Sequence, residues 1–304
     1  MVFIKIIFGS SENMREVADN SVHLVVTSPP YYNAPFDYPG IFKNYEEYLE
    51  LLRRVGRELY RVLAPGRYAC FVTQDVRIEG RLYPIVSDLI HLMTYEVGFE
   101  YQEKIIWRKP EGYIRISRRS GVLVQHPYPM YFHPDNIYEE IIILQKGDFD
   151  YSYIKGLDSK ILKDSKIDID LFNKEKWYLT VWDITNVLPL RGRLEEGIAA
   201  FPEEIPRRLI KLFSFKGETV LDPFLGSGTT MKVAKELGRN SYGYEIDLEL
   251  KDIILEKVGY WQETLTGDTI EYKVKDSAKR LRTFLQERVK AQRSVANNRK
   301  IPNS

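Results

Sequence analysis

The sequence is poor in the residues that build disulfide frameworks and metal clusters. Its 304 residues include one cysteine, Cys70, and four histidines. A single cysteine cannot form an intramolecular disulfide or supply the cysteine pairs of a structural zinc site. His126 and His133 each precede a proline and lack the spacing of metal ligands. We therefore expect no disulfides and no metal, and a reducing, cytoplasmic environment.

The sequence also lacks long apolar runs and an excess of charge of either sign. No apolar stretch approaches the roughly 20 residues of a membrane-spanning helix. The apolar segment 1–8 is short, with no basic leader or small-residue cleavage site, so it predicts a buried strand. With 44 basic and 43 acidic residues, a polyanionic partner would have to be met by local positive charge. A membrane partner is not expected.

Two segments have the strand–loop–helix rhythm of a parallel α/β sheet. In the first, the strand Val22–Val26 ends at Thr27-Ser28-Pro29-Pro30, and a helical pattern follows over Tyr45–Val62. Adjacent prolines neither continue a strand nor suit a helix interior, so they indicate a rigid loop at a strand's carboxyl end.

The second segment contains a glycine loop. The strand Thr219–Leu221 leads into Asp222–Thr230, then a helix over Met231–Leu237 and the strand Ser241–Tyr244, which ends at Glu245. This order of elements predicts one βαβ unit whose loop leaves backbone N–H groups free at a helix N-terminus.

The glycine loop and its two acids suggest the chemistry of a ligand. The loop lacks the lysine of a phosphate-binding P-loop and the full dinucleotide pattern. Asp222 could pair with an ammonium group and Glu245 with two ribose hydroxyls. A ligand with an amino-acid end and a nucleoside end fits both, as S-adenosyl-L-methionine (AdoMet) does. The alternative is a tight glycine turn beside a solvated strand-end acid.

The proline loop is an acceptor site by composition. Ser28 Oγ and the Pro29 carbonyl could accept the two hydrogens of an aromatic amino group and so free its nitrogen lone pair. The Tyr31 ring could stack on the base that carries this group, once the base has left the helix. The alternative is an ordinary proline turn with core tyrosines.

Together these residues resemble the DNA amino-methyltransferases. Asp222–Thr230 is similar to the family's AdoMet motif, and Ser28-Pro29-Pro30-Tyr31 to its catalytic motif, here in the permuted order of the β group. The segments Ile105–Pro110, Tyr138–Gly147 and Phe201–Pro206 extend the resemblance, which covers roughly residues 1–258.

The resemblance implies roles for individual residues. Catalysis is assigned to the loop residues Ser28, Pro29, Pro30 and Tyr31. AdoMet binding is assigned to a second set: Ser10, Phe201, Asp222, Phe224, Gly226, Gly228, Thr229 and Glu245. The family usually has Gly-Asp after the first strand, whereas this chain has Gly9-Ser10. That departure leaves the contact to the adenosine end of the cofactor open.

Serine at the first catalytic position is similar to the enzymes that methylate N4 of cytosine in duplex DNA. Methylation of N6 of adenine is the nearest alternative. An RNA or protein-amide methyltransferase and a catalytically silent binding module stay open as well. A buried strand cysteine at Cys70 does not suit the nucleophile of a C5-cytosine enzyme. A cognate restriction endonuclease is a candidate partner, and a monomer or a homodimer is expected.

The expected architecture is α/β, a doubly wound, mostly parallel Rossmann-like sheet with a smaller inserted recognition lobe. Residues 1–110 form the catalytic half, 111–200 the target-recognition lobe with one sheet strand near 138–146, 201–260 the AdoMet-binding half and 261–304 a basic extension. In the lobe, Arg115, Arg118 and Arg119 are candidates for DNA contact, with a solvated basic loop as the alternative. The tail from residue 271 carries ten basic and three acidic residues and predicts a solvated helix.

Overall fold

The computed structural model describes most of the chain. The described residues are 1–34, 40–110, 126–130, 134, 136–186, 201–262 and 267–281. His133, the predicted DNA contacts Arg115, Arg118 and Arg119, and most of the basic tail lie outside these residues.

Strands dominate the centre of the molecule. They are β1 (Phe3–Phe8), β2 (Val22–Thr27), β3 (Leu63–Thr73), β4 (Val76–Ile78), β5 (Arg81–Tyr83), β6 (Glu100–Arg108), β7 (Tyr138–Gln145), β8 (Val181–Asp183), β9 (Thr219–Asp222), β10 (Asn240–Glu245) and β11 (Thr269–Val274). Within the described residues, nine of them form one sheet in the order β11-β1-β10-β9-β2-β3-β7-β6-β8, and β4 pairs with β5. In that sheet β7 alone is antiparallel to both neighbours. The predicted doubly wound, mostly parallel sheet is confirmed.

Helices cover both faces of this sheet. They are α1 (Tyr45–Val62), α2 (Ile85–His91), α3 (Ser152–Gly156), α4 (Ser159–Asp164), α5 (Ile169–Lys174), α6 (Glu204–Phe213), α7 (Thr229–Glu236) and α8 (Lys251–Val258). A π-helical turn, Leu92–Val97, continues α2. Asn44 caps helix α1, because its side chain accepts a hydrogen bond from the Glu47 backbone N–H in the first turn. None of the described helices is long and apolar enough to cross a membrane.

The core follows the two-residue period of the strands. Along β3, Ala69 and Phe71 pack with α1 and α2 on one face, whereas Cys70 and Val72 pack with α6 and α7 on the other. Cys70 is fully buried, and burial raises the pKa of its thiol. The prediction of a buried strand cysteine is confirmed, and such a thiol is poorly suited to nucleophilic attack.

The chain reverses its winding direction between β9 and β2. From β9 the chain continues through α7 to β10 on one side, and from β2 through α1 to β3 on the other. Such a switch point leaves a crevice at the carboxyl ends of the strands. Here the Thr27 hydroxyl, at the end of β2, donates to Asp222 Oδ1, at the end of β9, over 2.7 Å. The two motif-bearing halves are therefore joined at the crevice.

The sheet is wider at both edges than the sequence pattern indicated. The segment 111–200 contributes β7 and also β8, which pairs in parallel with β6 and buries Trp182. The charged run from Lys155 to Lys176 contributes to the short helices α3 to α5. The segment 111–200 therefore supplies part of the sheet itself as well as irregular structure.

The basic tail begins as a strand and not as the solvated helix that its charge pattern predicted. Residues Thr269–Val274 form β11, which pairs in parallel with β1 over six residues. The prediction of helix was wrong here because the unpaired edge of β1 offers backbone partners that a charge pattern does not reveal.

Candidate active site

A cavity of about 460 Å³ lies at the switch point. Eleven of the twelve residues predicted for catalysis or cofactor binding line it: Ser10, Ser28, Pro29, Pro30, Tyr31, Phe201, Asp222, Phe224, Gly226, Thr229 and Glu245. The two motifs, separated by about two hundred positions in the sequence, therefore face one space.

Gly228 is the predicted residue that does not line the cavity. It lies at the N-cap of α7 with φ of 88°, a left-handed conformation that glycine adopts without strain. Its N–H donates to the Leu225 carbonyl, and its own carbonyl accepts from Lys232 N. Gly228 therefore shapes the turn from loop to helix, while Gly226 and Thr229 on either side face the cavity.

Asp222 is a buried carboxyl at the end of β9. Its Oδ1 accepts hydrogen bonds from Thr27 Oγ1 and from the Phe224 backbone N–H. Burial raises the pKa of Asp222 to about 6, and the hydrogen bonds from Thr27, Phe224 and Thr230 oppose that rise. The negative charge of this carboxylate is therefore only partly compensated within the protein.

Glu245 is the corresponding buried carboxyl at the end of β10. Its Oε2 accepts from the Gly226 N–H and its Oε1 from the Asp247 N–H, each over 2.8 Å. Burial raises the pKa of Glu245 to about 8, with a further contribution from the charges of Asp247 and Asp222. Each carboxylate oxygen can accept a second hydrogen bond, so the group can still bind two hydroxyls.

The family usually has an acid directly after β1, where this chain has Ser10. A nearby glutamate supplies a carboxylate close to that position. Ser10 Oγ donates to Glu12 Oε2 over 2.8 Å, and both side chains line the cavity. The turn Ser10-Ser11-Glu12 thus places a carboxylate two positions beyond the usual one. Glu12 was not predicted from the sequence, although an acid this close to Gly9-Ser10 was a usable signal.

The C-terminal part of the described chain forms one wall of the cavity. Lys279 and Leu281 line it, and the Lys279 backbone N–H donates to the Ile246 carbonyl just beyond Glu245. Ser277 Oγ accepts from the Ser10 N–H over 3.0 Å. These residues were not predicted from the sequence because they lie beyond the recognisable family motifs.

The acceptor loop Ser28-Pro29-Pro30-Tyr31 follows β2 directly. Ser28 and Pro30 are half-buried and Pro29 is buried, and all three line the cavity. Asn33, which follows the loop, both donates to the Phe42 carbonyl and accepts from the Phe42 N–H. The loop is therefore anchored at both ends, as preorganised acceptors require.

The two tyrosines of the loop have different surroundings. Tyr31 is 4% exposed, lines the cavity and donates its phenol hydrogen to Glu139 Oε2 over 2.7 Å. Tyr32 packs among other rings, with its centroid 4.7 Å from Tyr83 and 5.1 Å from Tyr45. Tyr31 is therefore the residue that can meet a ligand, and Tyr32 belongs to the core.

The lining of the cavity fits AdoMet. Among the described residues, no lysine or arginine forms an ion pair with Asp222 or Glu245. Two buried carboxyls without a cation are stabilised by a ligand that brings positive charge and hydroxyl donors. Phe201, Phe224 and Leu281 offer apolar walls beside them. The cationic methionine end and the ribose of AdoMet supply what this lining lacks.

Known proteins with related sequences identify the family of this chain. A model of the N6/N4 DNA methylase family matches residues 22–256. The type II methyltransferase M.MjaI of Methanocaldococcus jannaschii is 38% identical, over 87% of this chain and 94% of its own length. M.MthZI of Methanothermobacter thermautotrophicus, also a type II methyltransferase, is 31% identical over 84% of this chain and 76% of its own length.

A solved structure supports the same family assignment. The protein TTHA0409 of Thermus thermophilus, determined in complex with S-adenosyl-L-methionine, is 27% identical to this chain. It superposes with a TM-score of 0.67 over 90% of this chain and 99% of its own. The expected cofactor and family are confirmed. The chain belongs to the DNA amino-methyltransferases, the family that modifies N6 of adenine or N4 of cytosine, and it is an AdoMet-dependent DNA methyltransferase.

Proposed function

We propose that this enzyme methylates N4 of cytosine in duplex DNA, on a base that has been flipped out of the helix. The observation that carries the proposal is the presence of Ser28-Pro29-Pro30-Tyr31 in the same cavity as Asp222 and Glu245. Serine at position 28 resembles the cytosine-N4 version of the catalytic motif. A base can reach this cavity only when it is outside the stack.

The chain's own groups act on the amino group of the base. Ser28 Oγ and the Pro29 carbonyl accept its two hydrogens, which draws the nitrogen towards a tetrahedral geometry and frees its lone pair. The Tyr31 ring holds the base plane by stacking. AdoMet, held by Asp222 and Glu245, would supply an electrophilic methyl group on a sulfonium centre. The nitrogen gains the methyl group, the sulfur leaves with the bonding electron pair, and one amino proton passes to water.

We propose a recognition role for the arginines of the segment 111–200. Arg115, Arg118 and Arg119 would contact phosphates or guanine edges of the target. Replacing Arg118 and Arg119 by alanine should then lower DNA affinity and reduce the log–log salt slope by roughly one unit per lost phosphate contact, without changing AdoMet affinity. An unchanged salt slope together with an unchanged sequence preference would exclude a DNA contact by Arg118 and Arg119.

The names of the related enzymes suggest the biological setting. M.MjaI and M.MthZI are type II methyltransferases. We propose that this chain protects host DNA and is paired with a restriction endonuclease of the same sequence specificity. The monomer or homodimer expected from the sequence is part of this proposal, and sedimentation of the protein with its duplex tests it.

The modified base is identified by mass spectrometry. Duplex DNA incubated with the enzyme and methyl-labelled AdoMet is digested to nucleosides, with RNA and protein extracts as parallel substrates. N4-methyldeoxycytidine is the expected product. N6-methyldeoxyadenosine would replace the proposal by its nearest alternative, and label in the RNA or protein arm alone would replace the substrate class. Absence of label in every arm would indicate a silent binding module.

A further inference from the structure

The phenol of Tyr31 has a fixed partner on a distant strand. Tyr31 follows β2, whereas its acceptor Glu139 lies on β7, on the far side of β3. Both residues are buried, 4% and 7% exposed, and the donor–acceptor distance is 2.7 Å. A charged acceptor at this distance makes one of the stronger side-chain hydrogen bonds of a protein.

Glu139 is in turn held by a cation. Lys109 Nζ lies 2.5 Å from Glu139 Oε1, the oxygen that Tyr31 does not use. The Lys109 side chain is 16% exposed, and its ammonium lies 4.7 Å from the centre of the Trp107 ring. The Lys109 N–H donates to the Ile137 carbonyl, which fixes the backbone beside β7. Tyr31, Glu139 and the partly buried Lys109 thus form one chain of contacts, named here the tyrosine anchor.

Stability alone gives little reason to bury such a set. A buried ion pair is often no better than apolar residues of the same volume, because both ions lose their hydration. The tyrosine anchor does provide direction. Packing alone fixes the orientation of the Tyr31 ring less strictly than a hydrogen bond does. The bond from its phenol oxygen to Glu139, itself held by Lys109, restrains the ring plane.

We propose that Glu139 and Lys109 are positioning residues that hold the Tyr31 ring in the plane where the extruded base stacks. This inference rests on the proposed function. Neither residue belongs to the cavity lining, and both act through Tyr31. Weakening the tyrosine anchor therefore reduces the fraction of bound complexes in which the base is aligned for transfer, and leaves cofactor binding unchanged.

The test is Glu139→Gln in the full-length enzyme. Glutamine keeps the shape and an acceptor but removes the charge, so it weakens both contacts of the tyrosine anchor. We expect the single-turnover rate to fall about tenfold, the effect of losing one charged hydrogen bond. The fluorescence of 2-aminopurine at the target position should fall as well, because fewer bases are held outside the helix. AdoMet affinity, measured by calorimetry, should match the wild type.

The chain offers a matched control. Glu140 follows Glu139 on β7, points to the opposite face and forms a 2.9 Å ion pair with Lys104. Glu140→Gln therefore removes a charge of the same kind from the same strand without touching Tyr31. It should keep the wild-type rate. Equal rates for Glu139→Gln and Glu140→Gln would overturn the proposal.

A double-mutant cycle separates positioning from a general loss of packing. Tyr31→Phe removes only the phenol oxygen, so its rate should also fall about tenfold, and adding Glu139→Gln should lower it little further. Independent, multiplying losses would overturn the proposal, as would a wild-type rate for Tyr31→Phe. If Glu139→Gln does not fold, Tyr31→Phe and Lys109→Met carry the test, and wild-type rates in both overturn it.

Failure of this inference is distinguishable from failure of the proposed function. Tyr31→Ala removes the whole ring. A wild-type rate in that variant would remove the stacking role and the proposed function with it. A slow Tyr31→Ala beside a wild-type rate for Tyr31→Phe would leave the function in place and remove only the positioning role of Glu139 and Lys109.

Discussion

Two buried glutamates near the switch point are satisfied in different ways. Within the described part of the chain, Glu245 accepts hydrogen bonds from the backbone N–H groups of Gly226 and Asp247, and its pKa is raised to about 8. Glu139 accepts from the Tyr31 phenol and is ion-paired with Lys109. The first carboxylate lacks a cation among the described residues, and the second already has one.

The difference in partners between Glu245 and Glu139 indicates a different role for each carboxylate. A buried carboxylate held by neutral donors alone is stabilised further when a ligand brings positive charge and hydroxyls, so Glu245 is suited to binding. A carboxylate that already has a cation beside it gains less from a cationic ligand, so Glu139 is suited to orienting a neighbour. The part of the cavity around Asp222 and Glu245, assigned to the cofactor and called here the cofactor side, is therefore suited to a cationic ligand. The part around Ser28 and Tyr31, assigned to the base and called here the base side, is largely preorganised.

The largest expected effect is on the base side. Ser28→Ala removes one acceptor for the target amino group, and comparable losses of a preorganised partner lower kcat about 10²–10³-fold. AdoMet affinity should stay at the wild-type level, because Ser28 is proposed to contact the base and not the cofactor. Single-turnover methyl transfer and calorimetry measure the two quantities. Weakened AdoMet binding with an intact rate would reverse the assignment of the two sides.

The next effect is on the cofactor side. Asp222→Ala and Glu245→Ala each remove a carboxylate that we assign to AdoMet binding, so each should weaken AdoMet binding about tenfold or more. Glu139→Gln, the paired carboxylate, should leave this affinity unchanged. Calorimetric titration of the three variants makes the comparison directly. Wild-type affinity in both alanine variants would contradict the cofactor assignment.

A smaller effect is expected from pH. The pKa of Glu245 is about 8 without ligand, so below this pH the carboxyl is largely protonated and must release its proton as AdoMet binds. Affinity should therefore rise with pH up to about pH 8, by at most about tenfold per unit for one proton. Calorimetry at several pH values, in buffers of different ionisation enthalpy, counts the released protons. Glu245→Gln should lose most of this dependence.

The smallest effect concerns the stability of the ligand-free protein. The pKa of Glu245 rises from 4.5 to about 8 on folding, so between these values the folded state binds more protons than the unfolded state. The contribution of Glu245 to the free energy of unfolding is therefore fully present below pH 4.5 and is lost as pH rises towards 8. Denaturant titrations should show a smaller decrease in Glu245→Gln than in the wild type. An equal decrease would contradict the raised pKa.

The sequence allowed most of the switch point to be predicted. Periodicity indicated β2, β9 and β10, and the loops at their ends followed because proline and glycine punctuate strands locally. The placement of Ser28, Asp222 and Glu245 in one cavity followed from the rule that carboxyl ends of parallel strands meet. These features depend on neighbouring residues or on strand order, which a sequence records.

Other features depend on pairing between distant segments. Strand β8 has three residues, too few for a pattern. Strand β11 alternates polar and apolar residues over its six positions, but it buries only Ile270, and its partner β1 lies more than 260 positions away in the sequence. The contact between Tyr31 and Glu139 joins positions 108 apart, and nothing in either motif indicates it. Lys279 and Leu281 were missed for the same reason.

The pairing of β11 with β1 has a consequence for the order of events during synthesis. Val2 N donates to Asp268 Oδ1, a contact between positions 266 apart, and β11 then runs along the whole of β1. A nascent chain can form the switch point once β9 and β10 have left the ribosome, yet its cavity still lacks the wall built by Lys279 and Leu281. That wall arrives after both motifs have been made. The cavity is therefore complete only after Leu281, the last of the described residues, has emerged from the ribosome.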